Sequence, residues 1–196
     1  MYLRRVTRYL SIGMLTAIAL TANAATTESD RSLGKRGGFM VQGDLDLGGD
    51  DLATVSFVDG SSQDIAAGQG IVVSGGGYFR PITTSPFELQ GLVGFKYVTT
   101  KASNADINVS RIVWQLLGIY RFENGWYAGG GLVQHTSTSL DGDGFFEDVD
   151  FDDATGFDAE FGWRWVGLHY TSIEYENDVI KNVDASNVGV RLSYRF

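Results

Sequence analysis

The sequence predicts an all-β fold, an eight-stranded antiparallel up-and-down barrel whose strands cross a membrane. Three observations predict it. Eight segments between Gly38 and Phe196 alternate apolar and polar residues, as half-buried strands do. Long and short connections alternate between these segments, which is typical of membrane barrels. Aromatic residues gather at one set of strand ends, where an interfacial girdle would lie.

The start of the chain has the three parts of a signal peptide. Residues 1–24 contain three arginines, then the short apolar run YLSIGMLTAIAL, then small residues up to Ala24, after which cleavage is expected. The apolar run is too short, and too interrupted by Ser, Gly and Thr, for a transmembrane helix. We therefore predict a signal peptide over 1–24, a short periplasmic tail over 25–36 and a barrel over 37–196.

Composition excludes several classes of protein. Without the predicted signal peptide the chain has 12 basic and 24 acidic residues, a net charge of −12, which argues against nucleic acid as a partner. The absence of Cys excludes disulfides and thiolate metal or redox sites. Abundant glycine and an aromatic content of 13% favour β structure over disorder.

Each alternating segment is predicted to be one strand. The fifth is too rich in glycine for its inward face to be assigned, and the seventh is predicted to change parity between Tyr170 and Ile173 through a bulge. Because a sheet in lipid can have no free edge, the eighth strand is expected to pair with the first. The predicted strands are 39–47, 70–80, 87–98, 110–123, 125–137, 156–165, 166–176 and 187–196.

The charged residues lie opposite the apolar face of each strand. A soluble lipocalin-like barrel or sandwich would turn the apolar faces inward. Strands of about 9–11 residues, the alternation of connections and the gathered aromatics favour apolar faces turned outward to lipid. An eight-stranded barrel has room only for side chains, so its charges are expected to pair in a filled, salt-bridged interior. The predicted interior charges are Asp44, Asp46, Arg80, Glu88, Lys96, Arg111, Arg121, Asp158, Glu160, Arg164, Arg191 and Arg195.

The predicted aromatic girdle lies beside the chain ends and the short turns. An interfacial position suits these side chains because one end of each ring is apolar and the other tolerates water. Its members are Phe39, Phe79, Phe87, Tyr120, Phe122, Trp126, Tyr127, Trp163, Trp165, Tyr194 and Phe196.

The strand count, the alternating connections, YAGGGL in the fifth segment and the terminal VGVRLSYRF together resemble a known family. It is the family of small eight-stranded outer-membrane β-barrels that includes OmpX and the OmpA transmembrane domain. The resemblance implies the outer membrane of a Gram-negative cell envelope. It also implies that Tyr194 and Phe196 form a C-terminal signal for the outer-membrane assembly machinery. Members differ widely in function, so the resemblance indicates location more than activity.

An acidic stretch between the fifth and sixth segments suggests a weak calcium site. With Gly144 as the turn glycine, Asp141, Asp143, Glu147 and Asp150 fall at ligand-like positions. The motif departs from a calcium loop at its first position, Ser139, and lacks a final Glu. A solvated external loop is the alternative. Apart from this hypothesis, no cofactor is expected.

His135 and Ser137 raise the alternative of an enzyme. The QHTS stretch is weakly similar to the His-x-Ser of outer-membrane lipid A deacylases, with Glu147 as the third member. Thr138 follows where that family has Asn, and the motif lies earlier in the chain. A pair of polar residues near a strand end is the simpler interpretation, and we expect no enzymatic activity.

These observations predict an integral outer-membrane barrel with a structural or surface-interaction role and long acidic external loops. The alternatives are a lipid-modifying hydrolase, a small-solute pore and a soluble periplasmic barrel that binds an apolar ligand. Expected partners are membrane lipid, lipopolysaccharide and, during biogenesis, the assembly machinery. The chain is expected to be a monomer.

Overall fold

A computed structural model describes residues 35–56, 62–101, 106–141, 149–176 and 182–196. Thirteen β-strands lie in these residues. No helix among them is long and apolar enough to cross a membrane. The predicted signal peptide and most of the predicted tail fall outside the described residues.

Eight of these strands form a closed antiparallel barrel. Each pairs with the next around the wall, and the strand that ends at Arg195 pairs with the strand that begins at Gly37, so the fold class and the closing pair are confirmed. The barrel strands are β1 (Gly37–Leu47), β4 (Gly70–Phe79), β5 (Phe87–Lys101), β6 (Asp106–Arg121), β7 (Trp126–Asp141), β9 (Ala154–Trp163), β10 (Val166–Ser172) and β13 (Asn187–Arg195).

The register of the pairs sets the tilt of the strands. We follow each residue to its partner on the next strand, starting at Gly37. One circuit of the wall returns to β1 at Leu47, ten residues further along the chain. With a rise of about 3.3 Å per residue and a strand spacing of about 4.8 Å, this stagger tilts the strands by about 40°. Ten residues of tilted strand then rise about 25 Å, the height of the apolar band of a membrane barrel. The residues on that path are Gly37, Phe79, Leu89, Gly118, Gly130, Ala159, Tyr170, Val188 and Leu47.

The two ends of the barrel differ. The turn end carries the short connections 80–86, 122–125 and 164–165. The loop end carries the longer connections, and there β5, β6 and β7 continue several residues beyond their neighbours because they pair with one another. The remaining strands also lie at the loop end; they are β2 (Asp51–Ser56), β3 (Ser62–Ala66), β8 (Val149–Phe151), β11 (Glu174–Tyr175) and β12 (Val183–Asp184).

Large apolar side chains cover the outside of the barrel wall. Phe39 is 79% exposed, Val73 68% and Leu168 60%, whereas a soluble barrel would bury such residues. The outward residues are the ones that the alternation predicts on β1, β4, β5, β6, β9 and β13. The wall is therefore inverted relative to a soluble protein, with its apolar face outward.

Aromatic rings form a girdle at the turn end. Exposed rings pack edge to face along it, such as Tyr194 with Phe196 at a centroid distance of 5.0 Å and Tyr120 with Phe122 at 4.9 Å. One predicted member is wrong, because Tyr127 is only 2% exposed and points into the barrel. The exposed girdle residues are Phe39, Phe79, Phe87, Tyr120, Phe122, Trp126, Trp163, Tyr194 and Phe196.

The predicted bulge in the seventh segment is absent, and a bulge lies in the fifth segment. On β10 and β11 the odd-numbered residues stay inward through Ile173 and Tyr175, so the predicted change of parity is wrong. These two apolar side chains help close the loop end of the interior. The bulge lies on β7 instead, where the register shifts opposite β6 and Ser137 has φ 52°.

Candidate functional site

The middle of the barrel interior is occupied by a network around Arg191. Asp44 lies directly opposite Arg191 on the neighbouring strand. It accepts two hydrogen bonds of 3.1 Å from the Nε and Nη2 atoms of Arg191. On the other side Nη1 donates to Glu160 at 2.7 Å and to Asp158 at 3.2 Å. The β10 residue paired with Arg191 is Gly167, which places no side chain between Arg191 and the β9 carboxylates.

A second set of contacts links Asp46 to the same network. Its carboxylate lies 2.6 Å from Lys96 Nζ and 2.9 Å from His169 Nε2. The other ring nitrogen of His169 faces Asp158 at 3.3 Å, and the Thr171 hydroxyl donates to Asp158 at 2.9 Å. Each of these side chains is buried, and buried charges persist when they are paired and hydrogen-bonded.

Gly189 makes the contact between Asp46 and His169 possible. It is paired with Asp46 on one side and with His169 on the other, so the two side chains meet above a position that has none. A Cβ on Gly189 would collide with both of them and would lie 2.7 Å from the Leu45 carbonyl oxygen.

We expect Gly189→Ala to lower the free energy of unfolding by about 1–3 kcal/mol, because the added methyl group forces apart a packed ionic contact. Urea-induced unfolding of the refolded protein in lipid vesicles measures it. Gly75→Ala is the matched control. A Cβ there faces outward and meets nothing within 4 Å, so the control should be neutral or slightly stabilising. Equal effects would contradict the role given to Gly189.

The turn end of the interior holds a separate cluster around Glu88, which is fully buried. Its carboxylate lies 3.2 Å from Arg80 Nη2, 3.3 Å from Arg121 Nε and 2.9 Å from Arg195 Nη2. Gln90 Nε2 also donates to it at 2.8 Å. The arginines come from the last residue of β6, the end of β13 and the position after β4, so strand ends converge on one carboxylate.

Apolar residues separate the two ionic clusters. One group is Met40, Tyr78 and Leu92, and the other is Leu117, Ile119 and Tyr127. The Tyr127 ring fits inside because its neighbours on the next two strands, Gly162 and Gly167, have no side chain. A Cβ at either position would collide with the ring. The interior between the clusters therefore contains apolar groups beside the buried amide side chains of Gln42 and Gln90, which donate to Asp44 and Glu88.

The loop end of the interior is closed by a folded loop segment. Arg111 donates to the carbonyl oxygens of Ala67 at 2.7 Å and Gln69 at 3.1 Å, and Lys96 donates to that of Gly68 at 2.6 Å. The guanidinium of Arg111 also lies 5.5 Å from the Tyr175 ring centroid. Beside them is an apolar cluster of Ala67, Val72, Val109, Val113, Val133, Leu140, Phe151, Ala154, Ile173, Tyr175, Val183 and Ala185.

The structure places all but one of the predicted interior charges inside the barrel, with Arg121 and Arg195 partly open at the turn end. Arg164 is the exception and a correction. The strand β9 ends at Trp163, so alternation no longer applies to Arg164, which lies in the following turn with φ 56°. It is exposed, and its guanidinium stacks on the Trp163 ring at 4.4 Å.

The structure does not bring His135 and Ser137 together. His135 points inward, is 3% exposed and hydrogen-bonds through Nδ1 to the Tyr175 hydroxyl. Ser137 is exposed on the other side of the wall, because the β7 bulge reverses the side on which the following residues lie. Glu147 falls outside the described residues. A nucleophile and base need hydrogen-bond contact, which this pair lacks.

Only two members of the calcium hypothesis, Asp141 and Asp150, are described, and both are exposed. Asp150 is paired with Ser139, and Asp141 lies two residues beyond Ser139 on the same strand. The side chains of Asp141 and Asp150 therefore leave the same face of the sheet. Asp143 and Glu147 lie outside the described residues. Among the described side chains, no group of three or more potential ligands is arranged to hold a metal ion. The calcium site stays a prediction.

Hydrogen bonds also join loops to one another at the loop end. The Asp184 amide donates to the Asp50 carboxylate at 3.0 Å, and the Asp50 amide donates to the Asp184 carbonyl at 2.7 Å. The hydroxyl and the backbone amide of Ser186 hold the pKa of Asp184 below its usual range. The first and last loops therefore form one connected cover.

Sequence reasoning missed the residues that shape the interior without carrying charge. Gly162, Gly167 and Gly189 fall on inward positions of their strands, where their missing side chains admit Tyr127 and the Asp46–His169 contact. The sequence feature that could have identified them is that each glycine falls at an inward-facing position of its alternating strand. His169 was expected inside the barrel or at its rim, but not as a member of the network.

A closed wall with an apolar band outside and paired charges inside defines a transmembrane β-barrel. No family model and no curated protein sequence matches the chain. Among solved structures, it is similar to Ail, the attachment invasion locus protein of Yersinia pestis, with a TM-score of 0.40 and 8% sequence identity. The match covers 81% of this chain and 97% of Ail. At this identity the likeness concerns the fold alone.

Proposed function

We propose that this protein is an integral outer-membrane barrel that does not conduct solutes and presents its acidic loop end as a contact surface. The observation that carries the proposal is the contrast between the two faces of the wall. Large apolar residues are exposed outside, while Asp44, Asp158 and Arg191 are paired and buried inside. A filled interior supports a structural or surface role better than transport.

The distribution of exposed charge supports an orientation with the loop end outside the cell. Among the described side chains, the exposed bases are Lys35, Arg36 and Arg164, all at the turn end. An acidic outer surface favours cationic partners or divalent cations that bridge to lipopolysaccharide phosphates. The exposed loop-end acids are Asp50, Asp51, Asp141, Asp150, Asp152, Asp153, Glu174, Glu176 and Asp184.

Two further features of the sequence support the outer membrane as the location. The predicted signal peptide directs export, and the turn end, with the chain terminus, would then face the periplasm. By resemblance, Tyr194 and Phe196 would mark the chain for the assembly machinery. Enzymatic function is not proposed, because His135 and Ser137 lie on opposite sides of the wall.

We expect the refolded protein to migrate differently on a gel before and after boiling, and to need detergent for extraction. In planar bilayers it should show no steady conductance, because buried side chains, among them Leu117, Tyr127 and Arg191, fill the interior. Gel migration and single-channel recording measure these outcomes. Solubility without detergent would contradict the membrane assignment, and stable channels in the intact protein would contradict the closed interior.

A further inference from the structure

Arg164 occupies a turn position that usually belongs to glycine. Trp163 and Val166 are paired, so Arg164 and Trp165 form a two-residue loop between β9 and β10. Of these two residues only Arg164 has a positive φ, at 56°. Hairpin loops with a positive φ at the first central position usually have glycine there. The chain therefore keeps an arginine at this position at a cost to its backbone, as functional sites often do.

The guanidinium of Arg164 is exposed and has hydrogen-bond donors to offer. It lies 4.4 Å from the Trp163 ring centroid, a contact that uses its charge and its flat face. Within the described part of the chain it makes no hydrogen bond and no ion pair. The neighbouring turn contains an exposed acid, Glu123, which is not paired with it. An anion can therefore reach Arg164 without displacing a carboxylate.

The turn holds Arg164 and Trp163 in place before any ligand binds. The Arg164 amide donates to the Gly125 carbonyl oxygen at 2.8 Å, which ties the two neighbouring turns together. The Nε1 atom of Trp163 also faces these turns, since a Cβ on Gly125 would lie 3.4 Å from it. Donors that are ordered in advance lose little conformational entropy when an acceptor arrives.

An exposed apolar surface continues from Arg164 along the outside of the wall. Trp163 is paired with Trp126, whose ring stacks on that of Phe161 at a centroid distance of 5.0 Å. Phe161 is paired with Leu168, which is 60% exposed. The cation thus lies at the turn-end edge of an apolar surface that leads toward the middle of the wall. A phospholipid has the same order of groups, a charged headgroup followed by acyl chains.

We propose that Arg164 and Trp163 bind the phosphate of an anionic phospholipid in the leaflet at the turn end. The phosphate oxygens accept from the planar fork of the guanidinium and from the indole N–H. The acyl chains lie along Phe161 and Leu168. An anionic lipid is favoured over a zwitterionic one, because the headgroup of the latter brings its own cation close to Arg164. This inference rests on the membrane location proposed above.

The test is a titration of the isotopically labelled, refolded protein with short-chain phosphatidylglycerol in maltoside micelles, which contain no phosphate. The chain has four tryptophans, so each indole N–H signal can be followed. At constant ionic strength, we expect saturable shifts of the Trp163 indole and the Arg164 amide. The indole of Trp114, which is exposed nearer the loop end, is the internal reference and should not shift.

Two other ligands define the chemistry that the site selects. Phosphatidylcholine of the same chain length should bind about fivefold more weakly, because its headgroup has no net charge. Inorganic phosphate at the same concentrations should leave the Trp163 indole signal unchanged, because it has no acyl chains to bind the apolar surface.

Arg164→Gln should weaken phosphatidylglycerol binding about fivefold, because it removes the basic group from the membrane surface. Arg164→Gly should weaken binding at least as much. Glycine adopts a positive φ without strain, so this second variant keeps the turn and separates loss of the guanidinium from damage to the fold. Arg36→Gln is the matched control, since Arg36 is an exposed base at the same end but precedes β1. Binding at Trp163 should be unchanged in this control.

The proposal is overturned if phosphatidylglycerol gives no saturable shift, or if phosphatidylcholine or inorganic phosphate binds as tightly. It is also overturned if Arg36→Gln weakens binding as much as Arg164→Gln. None of these outcomes touches the membrane location, since extraction by detergent and migration on a gel do not depend on Arg164. Failure of the membrane location would appear instead as solubility of the unmodified protein without detergent.

Discussion

Replacing Arg191 by methionine is expected to lower the free energy of unfolding by about 3–5 kcal/mol. Arg191 is 1% exposed and is shared by Asp44, Asp158 and Glu160. Without the guanidinium, these carboxylates would remain buried close together with no shared cation. Methionine fills part of the same volume, so the lost charge and hydrogen bonds dominate the effect.

Urea unfolding in lipid vesicles, followed by tryptophan fluorescence, measures the loss. Arg164→Met is the control, because it removes an arginine that stacks on Trp163 in an exposed turn; its cost should stay below about 1 kcal/mol. Adding Asp44→Asn to Arg191→Met should recover part of the stability, since the two residues share one network. A loss at Arg191 no larger than at Arg164 would show that the network does not stabilise the barrel.

The sequence predicted the wall of this barrel better than its interior. Alternation has a period of two and is interrupted only by turns and bulges, so residues such as Val41, Asp44 and Leu45 were assigned to the correct face. The same pattern determined the closing pair of strands, because a lipid-facing sheet allows no free edge.

The errors have two physical origins. At some positions the prediction assigned an apolar residue to the lipid face from its apolar character alone, but the interior also contains apolar layers. Tyr127 lies in one of them, and Ile173 and Tyr175 lie in the loop-end cluster. Charge alone did not distinguish Arg164 from interior arginines, because the end of β9 was not evident from the sequence.

The partners within the interior also lay beyond sequence reasoning. Pairing Glu88 with Arg195, or Asp46 with His169, requires the register between strands far apart in the chain. The stagger of ten residues around the wall determines which inward side chains lie at the same height along the barrel axis. Period-two patterns contain no information about that stagger.

Leu116→Arg is expected to destabilise the barrel in a bilayer by about 2–4 kcal/mol, the cost of an arginine near the membrane midplane on the lipid face of a barrel. Leu116 is 59% exposed and is paired with Gly91 and Leu132 in the middle of the wall. On a soluble protein the same change, at an exposed position, would stay within about 0.5 kcal/mol.

Ser172→Arg is the matched control for Leu116→Arg, because it introduces the same charge on the outer face at the loop end of β10. Near the interface its cost should be about 0–1 kcal/mol. Unfolding of both variants in vesicles gives the difference between the two positions. A depth-dependent cost requires lipid around the wall, since water would hydrate an arginine equally at either height. Equal costs at the two positions would therefore contradict a transmembrane barrel, whatever the absolute stability of the variants.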